Sequence, residues 1–541
     1  MQPCIQCRKA KRRCVAVGGH RACLLCVQRR RSCSRLAAPQ PSSGAATAAV
    51  TVTAGPLLAP TSECSPSSLL VDLVSPEIVV ALVDLYIRYM HDKPHALFHE
   101  PTLRESAVNG SISQVVLLSI LGLAARFSED TEIQLRGPKF AEAAKTLLKA
   151  DLEHACIENI QACILIGNIC LGDSDPDAES LYFVLANRMA QIEKLNVVNE
   201  ADDGITREIK LRLWWTCYLT DTWASGGSGL PRQFNILNVA PRLPMDEGIF
   251  WSMQPGDPDV SSYEWKPGFW GYNVKLACIY TQIADHTKRV VQTSAWDEEE
   301  SEDTVLELSV QLTAYEESLP ITMRYSPANL TLQVQRGLGR QFIALHLALN
   351  HYYVLLFYQY LDRNRPFTTN GKAYSERCKQ HALLFCDILS ASRTHAGAEA
   401  LYNIVGHVTV VSSSVLLHTF LFGNPDEVLD IRRRLESNFE SLVQLRKYWP
   451  SVELMINRLV VFQQRCLQSE MANTHRLNKW MVRFLLQHAL ALDDDEDESL
   501  DYLWPSSQPN TESPAYHAPG VSPLIERSSV AKSIIMDMQM R

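Results

Sequence analysis

Six cysteines in the first 33 residues constrain this chain more than any other feature. They stand at Cys4, Cys7, Cys14, Cys23, Cys26 and Cys33, and the spacing C-x2-C-x6-C-x8-C-x2-C-x6-C states one half-pattern twice. A two-residue gap lets both thiolates of a C-x2-C pair face one tetrahedral metal, which points to zinc. Two tetrahedral ions need more ligand positions than six cysteines supply singly, and His20, the only histidine here, lies in the loop between the halves. The count closes if two thiolates each bridge both metals, giving a binuclear cluster of two zinc ions per chain. One zinc with two spare thiols is an alternative. So is a disulfide framework, against which weigh the exact repeat and the lack of a secretory signal before it.

The charge of this stretch indicates its partner. Residues 1–35 hold Arg8, Lys9, Lys11, Arg12, Arg13, Arg21, Arg29, Arg30, Arg31 and Arg35 and no acidic residue, whereas the whole chain carries a net charge of −9. With six thiolates and two zinc ions the module would carry about +8, the footprint of a polyanion binder. Arg8, Lys9, Lys11, Arg12 and Arg13 are the candidate contacts to double-stranded DNA.

On these residues the stretch resembles the six-cysteine module of the fungal zinc-cluster transcription factors. The resemblance implies that Cys4 and Cys23 are the bridging ligands. It also implies a short first helix that presents basic side chains to a CGG-type triplet in the major groove. The family's first half commonly reads C-R-x-R-K-x-K-C. Here it reads Cys7-Arg8-Lys9-Ala10-Lys11-Arg12-Arg13-Cys14, so Ala10 replaces a usual basic residue. The proline often found before the fourth cysteine is missing as well. Both departures bear on base preference, not on metal binding.

Residues 36–68 read as a flexible linker. Within 37–68 the single charged residue is Glu63, there is no aromatic, and no heptad for a dimerising coiled coil is visible. Residues 69–492 read as a large all-α domain, with helical periodicity over Glu77–Met90, Gln114–Phe127, Phe140–Leu148, Cys156–Cys170, Ser180–Leu195 and Arg207–Trp223. Further helices are expected near Ala277–Thr293, Thr304–Glu317, Gly337–Leu361, Tyr374–Arg393, Ala398–Thr419, Pro425–Lys447 and Val452–Leu490. Apolar residues cover wide faces, as in helices buried against one another.

This region is similar to the fungal transcription-factor regulatory domain, or middle homology region, over roughly residues 75–250. The similarity rests on His91-Asp92-Lys93-Pro94, Phe98–Leu103, Glu158–Gly167 and above all Glu208–Asp221, EIKLRLWWTCYLTD. The last resembles the signature E-x-x-R-R-x-W-W-x-x-Y-x-x-D, with Leu211 in place of the first Arg. Thr222 replaces the Arg usual after the Asp, and Gly229-Leu230-Pro231 stands where the family has Gly-Arg-Pro. Val239–Pro244 resembles the family's short strand-like exit.

Trp214, Cys217, Tyr218 and Asp221 share one helical face, which reads as core; a pocket for a small-molecule effector is the sharper alternative. Ala224–Gly229 reads as a flexible glycine loop without the context of a phosphate-binding loop. His351, His381, His395, His407 and His418 join no catalytic motif and read as structural or surface residues, so no enzyme activity is expected. Nine cysteines outside the cluster read as reduced core residues. No window approaches 18 uninterrupted apolar residues, so no membrane span is expected. The chain begins at once with the cluster, which leaves no room for a leader peptide.

Residues 493–541 open with Asp493–Glu498 followed by Ser499-Leu500-Asp501-Tyr502-Leu503-Trp504, and Pro505–Arg527 is rich in Pro and Ser. Acid beside such hydrophobes is the composition of an activation segment that recruits coactivators; the plain alternative is a solubilising tail, disordered in either case. The expectation is a nuclear, sequence-specific transcription factor for RNA polymerase II genes, an activator, with any homodimer formed through the helical domain. The rivals are a zinc module that binds proteins on a helical scaffold, a repressor without direct activation, and an enzyme with a DNA-binding appendix.

Overall fold

The computed structural model describes residues 74–492, apart from Pro94, 235–240, 293–296, 363–364, 366–367, 469–474 and 476, together with Arg527, Ser529, Val530 and Ser533. The six cysteines, the basic residues between them, the linker and the acidic run lie outside the described residues. The described residues are helical, with no strand and two isolated bridges, His91–His95 and Met245–Pro267.

The first half runs α1 (Pro76–Tyr89), α2 (Glu100–Asn109), α3 (Gln114–Ala124), α4 (Thr131–Ala150), α5 (Ile157–Gly172), α6 (Pro176–Ile192) and α7 (Gly204–Ser228). After the short α8 (Glu247–Ser252) come α9 (Phe269–Gln292), α10 (Glu298–Ser318), α11 (Pro327–Gln335), α12 (Gly339–Phe357), α13 (Gly371–Thr394), α14 (Val405–Phe422), α15 (Val428–Arg446), α16 (Val452–Gln468) and α17 (Lys479–Leu486). Neighbours in sequence pair: α3 on α4, α5 on α6, α12 on α13 and α14 on α15. Helix α9 ties the halves, because it packs on α7, α12 and α17. One continuous hydrophobic core runs from Leu82 on α1 to Leu492.

Wide apolar faces become buried faces, as the composition implies. Val116–Ala124 of α3 is buried without interruption, and in α14 every residue from Val405 to Leu421 is buried. Helix α14 is long and apolar enough to cross a membrane, but α12, α13, α15 and α16 cover it, and this burial accounts for its composition. On α1 the buried set is Leu82, Val83, Tyr86 and Ile87, while Ile78, Leu85 and Tyr89 flank it half-buried.

Several boundaries depart from the periodicity. Helix α4 starts at Thr131, ahead of Pro138; this proline is exposed, so water can serve the carbonyl it leaves free. Val452–Leu490 is not one helix: α16 ends at Gln468 and α17 starts at Lys479, where the Asn478 side chain caps the Met481 N–H at 2.8 Å. Helices α2, α8 and α11 were not legible: α2 and α11 are short and weakly apolar, and α8 has only 6 residues. Ala224–Ser228 is not a flexible loop but the last turns of α7, and Gly229 ends the helix with φ +69°. Gly227 serves close packing: a Cβ there would lie 2.6 Å from the His488 ring.

Candidate regulatory site around helix α7

Helix α7 carries the signature stretch, and the structure shows what each of its polar residues holds. The Asp203 side chain caps the helix through the Thr206 N–H at 2.8 Å. One and two turns in, Glu208 and Arg212 face the interior, both fully buried. The Arg212 Nε–H donates to Glu208 Oε1 at 2.9 Å, Nη2 to the Met245 carbonyl at 2.8 Å, and Nη1 lies 3.4 Å from Asp92 Oδ1. Glu208 Oε1 also accepts from the Met245 N–H at 2.9 Å, and the guanidinium sits over the Phe250 ring at 4.6 Å. Burial works against the Arg212 charge, and Glu208 and Asp92 more than restore it.

The pair thus clamps the segment before α2 and the segment before α8 onto one helix. Asp92 sits in the left-handed region at φ +59°, where few side chains are stable, and its own environment holds it there. Burial raises its carboxyl, but His91, 3.3 Å away, and Arg212 overturn this and pull it down to about 2. Next to it Lys93 is also buried; its ammonium donates to the Ile87 and His91 carbonyls, and burial pushes it down to about 7. Thr216, one turn beyond Arg212, bonds both the N–H and the carbonyl of Ala96, at 3.2 and 3.1 Å. Glu247, pushed up by burial to about 7, accepts the Phe269 and Trp270 N–H groups at 2.9 Å and so caps α9.

At the other end of α7, Asp221 Oδ2 accepts from the Gln233 and Phe234 N–H groups at 2.7 and 2.9 Å, and Oδ1 faces Asn187 Nδ2 at 3.2 Å. Trp215 donates to the Arg242 carbonyl at 3.0 Å, and Trp214 meets Phe234 edge-on at 4.7 Å between centroids. Trp214, Cys217, Tyr218 and Asp221 are all buried, in keeping with the core reading of this face. Beside it lies an open cleft of about 230 Å³ lined by Phe183, Val184, Asp221, Ser225, Leu230 and Gln233. That is below the ~300 Å³ at which pockets for drug-sized ligands begin.

Behind α7 the aromatic rings of Trp223, Tyr280 and Tyr352 stack at 4.5 and 4.7 Å and abut His351 and His488, both of which neighbour His407. These histidines are buried, and burial pushes His351 down to about 3 and His488 to about 4. His381 stacks on Tyr353 and bonds Asn350, whereas His395 is exposed. The cysteines at 156, 163, 170, 217, 278, 378 and 386 are free thiols. Among the described residues no group of His, Cys, Asp and Glu could hold a metal ion. The predicted zinc ligands and DNA contacts lie outside these residues. What sequence reasoning missed is the Asp92–Arg212–Glu208 clamp and Glu247: their roles depend on residues 22 or more positions apart in sequence, and the only hint was that Glu208 and Arg212 are spaced one turn apart.

Residues 83–317 match the family model described as the fungal specific transcription factor domain. The match spans the clamp, all of α7 and α9. Among curated proteins, the chain is 21% identical over 426 residues to the Zn(2)-C6 fungal-type transcription factor FTF1c of Fusarium oxysporum f. sp. lycopersici, covering 72% of this chain and 46% of that protein. It is 20% identical over 455 residues to factor FTF2 of the same fungus, covering 77% and 42%. An uncharacterized transcriptional regulatory protein of Schizosaccharomyces pombe, C1327.01c, is 24% identical over 316 residues, covering 52% and 32%. The chain spans less than half the length of these relatives. No solved structure matches.

Proposed function

We propose that this chain is a nuclear transcription regulator in which an N-terminal zinc cluster binds DNA and the helical domain governs activity. The observation that carries the reading is a conjunction. A regulatory-domain match over residues 83–317 stands behind the six-cysteine repeat, and the matched relatives bear transcription-factor or transcriptional-regulator names. Cys4, Cys7, Cys14, Cys23, Cys26 and Cys33 hold two zinc ions. Arg8, Lys9, Lys11, Arg12 and Arg13 contact a CGG-type triplet, Lys11 at base edges and Arg8 and Arg13 chiefly at phosphates. Asp493–Trp504 activates by recruiting coactivators.

The test is genome-wide occupancy and metal content of the full chain. Two zinc ions per chain are expected, and one or none would remove the binuclear cluster. Lys11→Ala should cost about 1–3 kcal/mol on the preferred site and blur its preference. Arg13→Ala should weaken specific and random DNA alike and flatten the salt dependence. Equal losses on both kinds of DNA in both variants would refute this division of roles. A tail fused to an unrelated DNA-binding domain should drive a reporter, and changing Tyr502, Leu503 and Trp504 to Ala should abolish the effect. A silent fusion would favour the solubilising tail.

A further inference from the structure

Helix α6 leaves one face to solvent, and that face is apolar with a charge towards each end. Its inner residues Tyr182, Phe183, Ala186, Met189 and Ala190 are buried, on the side that packs against α5 and α7. Helical steps place Asp177, Leu181, Val184, Leu185, Arg188 and Ile192 together on the outer face. Leu181 is 57% exposed and Ile192 59%, with Val184 and Leu185 half-buried between them. A single exposed leucine needs no partner, but an apolar row along one helix face is the form of a docking surface. Beside the row opens the cleft of about 230 Å³, whose apolar wall is Phe183, Val184, Leu230 and Pro231. Small for a drug-sized ligand, this cleft has room for an aliphatic side chain.

The charges determine which partner fits. Asp177, in the first turn of α6, and Arg188, three turns on, are both exposed. Among the described residues neither makes an ion pair or a side-chain hydrogen bond. A partner of one uniform charge would be repelled at one end of the row. A copy of the same helix, turned end for end, satisfies both ends. We propose that the outer face of α6 is an interface between two copies of this chain, packed antiparallel about a two-fold axis at the level of Tyr182 and Phe183. In this register Asp177 faces the second copy's Arg188, twice by symmetry, and the second copy's Leu181 meets Val184 at the cleft. One helix pair makes a small interface, so the association is weak and reversible, with a Kd of the order of 10 µM. Resting on the DNA-binding reading above, such a pair carries two zinc modules; the surface itself is tested without DNA.

Sedimentation velocity of the full chain over roughly 1 to 200 µM tests the surface. The native chain should pass reversibly from monomer to dimer. Leu181→Glu changes an exposed residue, so circular dichroism should show an unaltered fold while the dimer weakens about tenfold or more. Asp177→Arg and Arg188→Asp should each weaken it about tenfold, because either reversal turns two attractions into two repulsions. The discriminating arm mixes these two charge variants. One carries only positive ends and the other only negative ends, so the mixture should form a heterodimer near the native Kd although neither variant pairs with itself. The double variant Asp177→Arg/Arg188→Asp should recover the native Kd as well. A native chain that stays monomeric throughout the range overturns the proposal and leaves the row to an unlike protein. A dimer indifferent to all three single substitutions overturns it too, because pairing then lies elsewhere in the chain. Loss in the single variants without recovery in the mixture overturns the antiparallel pairing. None of these readouts involves DNA, so failure of the DNA-binding reading leaves them unchanged.

Discussion

At the scale of residues, the buried charges of α7 are the most exacting feature of the domain. Arg212 and Glu208 are fully buried, and removing either takes away the nearest counter-charge of the other, leaving Arg212 with the more distant Asp92 or Glu208 with only the Met245 N–H. Glu208→Ala and Arg212→Ala should each cost about 3–5 kcal/mol in chemical unfolding. Replacing both with Leu and Met should cost far less than the two single losses combined; equal additivity would mean the pair is not coupled. The buried histidines make a pH-dependent contribution of definite sign. His351, His475 and His488 sit near 3, 4 and 4, below the ordinary 6.5, because burial disfavours their charged forms. The unfolded chain therefore binds more protons between those values. The stability they contribute is full above pH 6.5 and is lost as pH falls towards 4, by about 1.4 kcal/mol per pH unit per group. Urea melts from pH 7.5 to 4.5 should show this slope, and His351→Phe should reduce it. Glu179 acts oppositely: burial raises it to about 8, so its contribution is full below pH 4.5 and lost as pH rises through 8. Glu179→Gln should raise stability at pH 8 and leave pH 4.5 nearly unchanged.

At the scale of elements, α7 is a spine that holds preceding and following segments, and its last turns depend on glycine for a local reason. Gly226 and Gly227 are adjacent in sequence but differ in surroundings. A Cβ on Gly226 would meet the Tyr280 hydroxyl at 3.7 Å, an ordinary contact, while one on Gly227 would collide with the buried His488 ring. Gly226→Ala should therefore stabilise, by up to about 1 kcal/mol, through helix propensity. Gly227→Ala should destabilise by about 1–3 kcal/mol. Thermal melts of both variants decide the matter, and a shared direction would contradict the packing described. The same juxtaposition explains why the glycine run reads as a loop in the sequence: its packing partner, His488, comes from the segment after α17.

At the scale of the whole molecule, the order of segments sets how the proposed DNA-binding module reaches its site. A linker of residues 36–68, Ala/Pro/Ser-rich and without a heptad, would span about 30 Å as a random coil. Were two copies to pair through the helical body, their modules should thus tolerate several half-site separations, with affinity raised by effective concentration. Binding of the full chain and of residues 1–70 to paired triplets at varied spacing checks this; strict dependence on one spacing by the short fragment would reveal contacts beside the cysteines and refute the tether. The sequence alone determined the all-α class and most helices of the body, because a 3.6-residue apolar period records which face is buried without reference to its partner. It also located the stretch that became α7. The tertiary structure decided what that stretch is for. Arg212 meets Asp92 across 120 positions, Asp221 closes on the backbone of Gln233 and Phe234, and Gly227 makes room for His488. Periodicity carries burial, but the partner of a buried charge and the ring against a glycine are fixed only when distant segments meet.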